Sequence, residues 1–195
     1  MDRFSELLKN NKLVIIDGAM ATQLEARGCD INDELWSAKM LAERPELIED
    51  VHYTYFEVGA DIGISASYQA TVPGFMKKGF SREESENLVK KSMTLLINAR
   101  NKYQEKHPER KNLVASAAIG PYGAYLADGS EYTGDYKVDP EIIEAFHKER
   151  MQLLKDAGAE IFACETLPCL WEAEIILKAA KELDVPCWFS FSCKD

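Results

Sequence analysis

The feature that most constrains this chain is an alternation: short, nearly continuous apolar runs, broken only by small or polar residues such as Gly and Ser, separated by stretches whose apolar residues recur at helical spacing. Residues 13–16, 61–67, 113–119, 161–164 and 187–192 form the short runs and read as strands. Strands apolar on both faces belong to parallel sheets covered by helices, so an α/β domain is expected.

The segments between them carry helix punctuation. Pro45 opens a helix that places Leu47, Val51, Tyr55 and Val58 along one side, with Gly59 as its stop. Ser81-Arg-Glu-Glu84 has the form of a capping box and precedes a stripe of Leu88, Leu95, Leu96 and Ala99. Asp139-Pro140 is expected to cap and start a third helix, with Ile142, Phe146, Leu153 and Leu154 on its buried face and Gly158 at its end. A fourth, 171–183, carries Ala173, Ile176, Leu177 and Ala180. Gly59-Ala-Asp-Ile62 and Gly158-Ala-Glu-Ile161 repeat one pattern, a helix stop followed by a strand start. The order is βαβαβαβαβ.

Two architectures fit this order, an open doubly wound sheet and a (β/α)8 TIM-type barrel. No Gly-x-Gly-x-x-Gly turn follows the first strand, which counts against a dinucleotide-binding sheet. The polar motifs Asp17-Gly18, Ser65-Ala-Ser67, Gly120-Pro121 and Glu165-Thr166 fall at strand C-terminal ends, where barrel sites are built. A full barrel takes about 250 residues. The 195 residues are therefore expected to form one domain, 1–195, holding about the first five strands of an incomplete barrel without its C-terminal βα units. The two open sheet edges of such a domain invite self-association.

Charge and composition narrow the partners. The net charge is −10, and Lys and Arg come at most in pairs such as Lys77-Lys78, so neither nucleic acid nor an anionic membrane is an expected partner. No apolar run approaches the roughly 20 residues of a spanning helix, and Met1-Asp-Arg-Phe-Ser-Glu lacks a signal core, so a cytoplasmic location is expected. The five cysteines have no framework spacing and read as free thiols, with no metal ligand assigned among them.

The segment 120–135, Gly-Pro-Tyr-Gly-Ala-Tyr-Leu-Ala-Asp-Gly-Ser-Glu-Tyr-Thr-Gly-Asp, is too long for an ordinary connection and suits ligand binding. Tyr122, Tyr125 and Tyr132 offer rings and hydroxyls to a ligand, or simply pack. Asp17, followed by Gly18-Ala19, sets a carboxylate beside exposed backbone amides, a combination that suits an α-amino acid; capping a turn is the structural alternative. Glu165 directly follows an apolar strand and needs a partner there: a ligand ammonium shared with Asp17, or a Lys or Arg of the protein. No nucleophile elbow or Ser/His/Asp signature is present, so no catalytic side chain is assigned. Lys194 is a weak Schiff-base candidate for an aldolase-like alternative.

Together, Asp17-Gly-Ala-Met-Ala-Thr22, Ala66-Ser-Tyr-Gln-Ala-Thr71, the 120–135 segment and Glu165-Thr-Leu-Pro168 resemble the homocysteine S-methyltransferase family, in its S-methylmethionine- or S-adenosylmethionine-dependent branch. The resemblance implies a barrel in which homocysteine attacks the methyl group of a sulfonium donor to give methionine. By motif match, Asp17 and Glu165 would hold the homocysteine ammonium, and Gly18 and Ala19 would offer amides to its carboxylate. Tyr122, Tyr125 and Tyr132 would shape the donor side. The complete family enzyme is expected to use zinc, held by cysteines of Gly-x-Asn-Cys and Gly-Gly-Cys-Cys motifs that this sequence does not contain. A catalytically inactive fragment that binds an amino acid, or associates with another chain, is the alternative reading.

Overall fold

A computed structural model of the chain describes residues 3–31 and 35–193. Lys194 lies outside the described residues. Four parallel strands, β1 (Ile62–Ile64), β2 (Val114–Ile119), β3 (Ile161–Leu167) and β4 (Cys187–Phe191), pair in chain order as one sheet. A doubly wound sheet reverses its strand order at a switch point; strict sequential order is the arrangement of a barrel wall. The sheet is thus an open portion of a TIM-type barrel.

The expected first strand is present only as an edge. Ile16 forms a single parallel bridge with Ile62, Asp61 and Ile62 donate to the Ile15 carbonyl, and Asp17 N–H donates to Ile62 O at 2.9 Å. Leu13, Ile15 and Ile16 are 75%, 49% and 53% exposed, so the expectation of a buried strand is corrected. The arm has one strand neighbour, and no described element covers its other side.

Helices α1 (Arg3–Asn10), α2 (Met20–Ala26), α3 (Met40–Glu43) and α4 (Pro45–Glu57) precede the sheet proper. The sequence reading did not anticipate α1. Its Leu7 and Phe4 pack against Ile62, Val114, Ile161 and Trp188, at or near the strands' first residues, and so close the N-terminal end of the sheet. After β1 come α5 (Val72–Lys77) and α6 (Arg82–Lys106); the latter starts with the anticipated capping box of Ser81 and Glu84. α7 (Tyr122–Leu126), α8 (Pro140–Asp156) and α9 (Leu170–Glu182) complete the described helices.

The main core lies between the sheet and its outer helices, where Phe56, Phe75, Met93, Leu96, Phe162 and Ile176 are fully buried. Contact there is close enough that a Cβ on Gly63 of β1 would meet Leu96 Cδ1 at 2.4 Å. The expected face of α8 is corrected by one residue: Ile142 is 50% exposed and Ile143 is buried. The buried stripe runs Ile143, Phe146/His147, Arg150, Met151, Leu154, so two of its members are polar and an apolar count misphases it. Asp139 precedes the helix without making a side-chain cap.

Candidate active site

A cavity of about 820 Å³ opens at the C-terminal ends of the strands. The arm supplies Asp17, Gly18 and Ala19; the segment after β1 supplies Tyr68 and Gln69; β3 supplies Glu165 and Thr166; the segment after β2 supplies Glu131 and Tyr132. This volume falls within the range of small-ligand sites, and the lining mixes apolar wall with a few polar groups.

Asp17 is fixed from below. Its Oδ2 accepts the Ile64 N–H at 2.8 Å, a bond to the neighbouring strand rather than a cap on the helix that follows, and the residue lines the cavity. Burial pushes its carboxyl up to about 7; the Ile64 N–H pulls it down, and the charge of Glu165 pushes it up further. His52 Nδ1 lies 3.9 Å from Oδ2, too far for a hydrogen bond. Burial holds His52 down to about 3, so it is neutral and supplies Asp17 with no counter-charge. Neither His52 nitrogen has a hydrogen-bond partner among the described residues.

Gly18 is a point of close approach, since a Cβ there would lie 2.8 Å from the Tyr55 hydroxyl oxygen. That hydroxyl donates to Ala19 O at 3.2 Å and holds the turn that leads into α2. No side chain caps α2, and its first residues line the cavity.

Glu165 reaches the cavity through an irregularity in β3. Between the pairs Cys164–Phe189 and Leu167–Phe191, β3 advances three residues while β4 advances two, which is a bulge. Thr166 takes a left-handed φ of 61°, uncommon for a β-branched residue. In a regular strand Glu165 and Thr166 would face opposite sides; here both line the cavity. Ser190 Oγ accepts the Thr166 N–H at 3.2 Å, and Ser192 Oγ donates to Thr166 O at 3.4 Å, so β4 and the residue just after it support the distorted backbone. Burial raises the Glu165 carboxyl to about 7, and no cation among the described residues offsets it. Of the two partners open to Glu165, a protein cation is therefore not among the described residues.

The tyrosines divide. Tyr132 lines the cavity. Tyr122 and Tyr125 instead join an outer aromatic cluster, with ring centroids 4.9 and 5.4 Å from Phe146. Tyr125 already carries Lys77 Nζ over its face at 4.1 Å. The segment is also less loop-like than expected, since it contains α7 and a 3-10 turn, Ser130–Tyr132. Thr166, part of a motif expected at a strand end, lines the cavity, as does Ser37, to which the sequence pattern gives no role; it gives none either to the buried set Tyr136, His147, Arg150 and Glu172. For that set, the available signal was a polar residue in phase with an apolar stripe: Arg150 with Ile143 and Leu154, and Glu172 beside Ala173.

Among the described residues, no group of three or more His, Cys, Asp or Glu side chains is placed to hold a metal ion. No described helix is long and apolar enough to cross a membrane.

Sequential parallel strands, with a cavity at their C-terminal ends that Asp17 and Glu165 line, define an open TIM-barrel-type domain. The family model described as homocysteine S-methyltransferase matches residues 14–195, and the chain belongs to that family. It is 47% identical over 199 residues to homocysteine S-methyltransferase YbgG of Bacillus subtilis, covering 100% of this chain and 63% of the relative. The homocysteine S-methyltransferase of Escherichia coli is 47% identical over 190 residues, with 97% of this chain and 61% of the relative covered. The crystal structure of the Escherichia coli homocysteine methyltransferase MmuM, in its metallated form, superposes with a TM-score of 0.94 at 46% identity, over 100% of this chain and 68% of that one. The chain thus spans less than two thirds of the length of these two curated relatives.

Proposed function

We propose that this chain is the substrate-holding part of an enzyme that transfers a methyl group from a sulfonium donor, S-methylmethionine or S-adenosylmethionine, to homocysteine, giving methionine. The observation that carries this reading is the pair Asp17 and Glu165, buried in one cavity with no described cation to neutralise them. An α-ammonium group placed between them supplies the missing charge, and each carboxylate supplies the anion that the ammonium needs on leaving water.

Gly18 and Ala19, at the start of α2, present backbone N–H groups for the amino-acid carboxylate. Tyr132, together with the neighbouring Tyr68, offers aromatic surface to the sulfonium cation. Burial pushes the Tyr68 hydroxyl up to about 12, so it stays protonated and adds no charge of its own. In the reaction the homocysteine thiol gives up its proton to solvent and its sulfur forms a bond to the methyl carbon. The carbon–sulfur bond of the donor breaks with its electron pair, and a neutral thioether leaves. The work of this chain is to hold acceptor and donor in line and exclude water. The zinc implied for the complete family enzyme finds no cluster of three or more His, Cys, Asp or Glu ligands among the described residues.

Titration calorimetry of the chain with homocysteine and with S-methylmethionine tests the binding reading. Methionine formation by the full-length protein that carries the chain tests the reaction. Heat on addition of either amino acid supports the reading, and no binding of either contradicts it.

A further inference from the structure

Outside the cavity, one carboxylate is less exposed than Asp17 or Glu165 inside it. Glu172, in the first turn of α9, is 0% exposed and does not line the cavity. Its Oε1 accepts the backbone N–H of Tyr122 at 2.6 Å and lies 2.9 Å from His147 Nε2. Its Oε2 accepts the Tyr136 hydroxyl at 2.5 Å. Arg150 donates from Nη2 to Gly120 O and to His147 Nδ1, the latter at 3.0 Å.

This wiring determines its own protonation. Arginine has only donors, so His147 Nδ1 must accept, and Nε2 must carry the proton that is donated to Glu172. Burial first, and the Arg150 charge second, hold His147 down to about 4, so the imidazole is neutral. Burial pushes the Glu172 carboxyl up, but its hydrogen bonds with His147, Tyr136 and Tyr122 outweigh burial and hold it below the usual carboxylate range. The network is one anion and one cation bridged by a neutral ring.

Its geometric consequence lies in the residues it holds. Gly120 and Tyr122 begin the segment that leaves β2, and Tyr136 ends it. One carboxylate and one guanidinium therefore hold both feet of a single excursion. Between the feet, Ala127, Gly129, Glu131 and Tyr132 form a cavity wall, with left-handed φ values of 54° at Ala127 and 85° at Gly129. Burying an ion pair is a poor way to stabilise a fold when apolar residues can fill the same volume. It is an effective way to fix a strained segment in one place.

We propose that Glu172, with Tyr136, His147 and Arg150, is a positioning network that holds the 120–136 segment as a wall of the cavity and thereby sets the fit of the methyl donor. The donor assignment rests on the function proposed above; the clamp itself does not. The wall residues Glu131 and Tyr132 belong to this segment, whereas Asp17 and Glu165 come from the arm and β3. Loosening the clamp is therefore expected to act on the donor more than on homocysteine.

The test uses Tyr136→Phe and Glu172→Gln in the full-length protein that carries this chain. Ile143→Val serves as a control that trims the same outer cluster without touching a polar member. Amide hydrogen exchange reads the segment, and calorimetry reads the affinities for S-methylmethionine and homocysteine. The network predicts that in both polar variants amides 122–136 exchange at least about tenfold faster. It also predicts that S-methylmethionine affinity falls about tenfold, the loss expected for one hydrogen bond to a buried charge, while homocysteine affinity changes less than about threefold. The control shows neither effect. If Glu172→Gln does not fold, Tyr136→Phe, which deletes one hydroxyl, decides alone. Unchanged exchange across 122–136 overturns the clamp. Faster exchange with equal loss of both ligands, or with no loss of either, overturns its role in donor fit. A wild-type protein that binds neither ligand refutes the proposed function instead, and the exchange data then still decide the clamp.

Discussion

Asp17 and Glu165 enter one cavity from separate places in the sheet, Asp17 from the edge arm beside β1 and Glu165 from the bulge of β3, and burial brings both carboxyls to about 7. The two like charges raise the cost of ionising the pair, and no described cation lies between them to offset it. A ligand cation relieves that cost, so ligand charge and the protonation of the pair are linked.

The first consequence is a pH dependence of binding. Below about pH 7 one or both carboxyls hold a proton and cannot pair fully with an ammonium. Homocysteine affinity measured by calorimetry is expected to rise with pH through about 7 and level off above about 8, with protons released to the buffer on binding. A flat profile from pH 5.5 to 8 would count against the pairing.

The same groups predict a stability effect of opposite benefit. Unfolded carboxyls titrate near 4, so between about pH 4 and 7 the folded chain holds protons that the unfolded chain has released. Stability therefore falls as pH rises through that window and stays lower above it. Asp17→Asn keeps an oxygen for Ile64 N–H and removes the charge. It is expected to stabilise the chain by about 1–3 kcal/mol at pH 8 and by little at pH 4.5. Denaturant unfolding at the two pH values checks this, and a loss of stability at pH 8 would contradict it.

Gly63 tests the packing behind the site. Its Cβ would press on Leu96 Cδ1 at 2.4 Å and Phe56 Cζ at 3.0 Å, both in the buried core. Gly63→Ala is expected to cost about 1–3 kcal/mol, the usual range for overpacking. Unchanged unfolding would show that α6 can shift outward freely.

The open edges predict association. Leu13, Ile15 and Ile16 are exposed at the arm, and Phe191 is 46% exposed on β4. Light scattering of the isolated chain is expected to show oligomers that Ile15→Lys reduces. A monomer at all concentrations would contradict this.

Much of the fold was legible because its signals are local. The capping box at Ser81 and the glycine stops at Gly59 and Gly158, with φ of 109° and 99°, need only neighbouring residues to define them. The arm was misjudged because apolar content in 13–16 says nothing about whether a second strand lies beside it. The phase of α8 was missed because Arg150 and His147 occupy core positions that only a distant partner, Glu172, makes tolerable. Asp17 and Glu165 were legible because a carboxylate at the end of an apolar run is costly without a partner. Tyr122 and Tyr125 were not separable from Tyr132, since only the course of α7 turns two of the rings outward.

The most direct measurement is calorimetry of homocysteine and S-methylmethionine binding at pH 8 to the wild type, Asp17→Asn and Glu165→Gln. Removing one partner of a buried charged hydrogen bond costs about 2–5 kcal/mol, so each variant is predicted to bind homocysteine roughly 30-fold to several thousandfold more weakly, with a far smaller change for the donor. Unchanged homocysteine affinity in both variants would contradict the assignment of these carboxylates to the amino-acid ammonium.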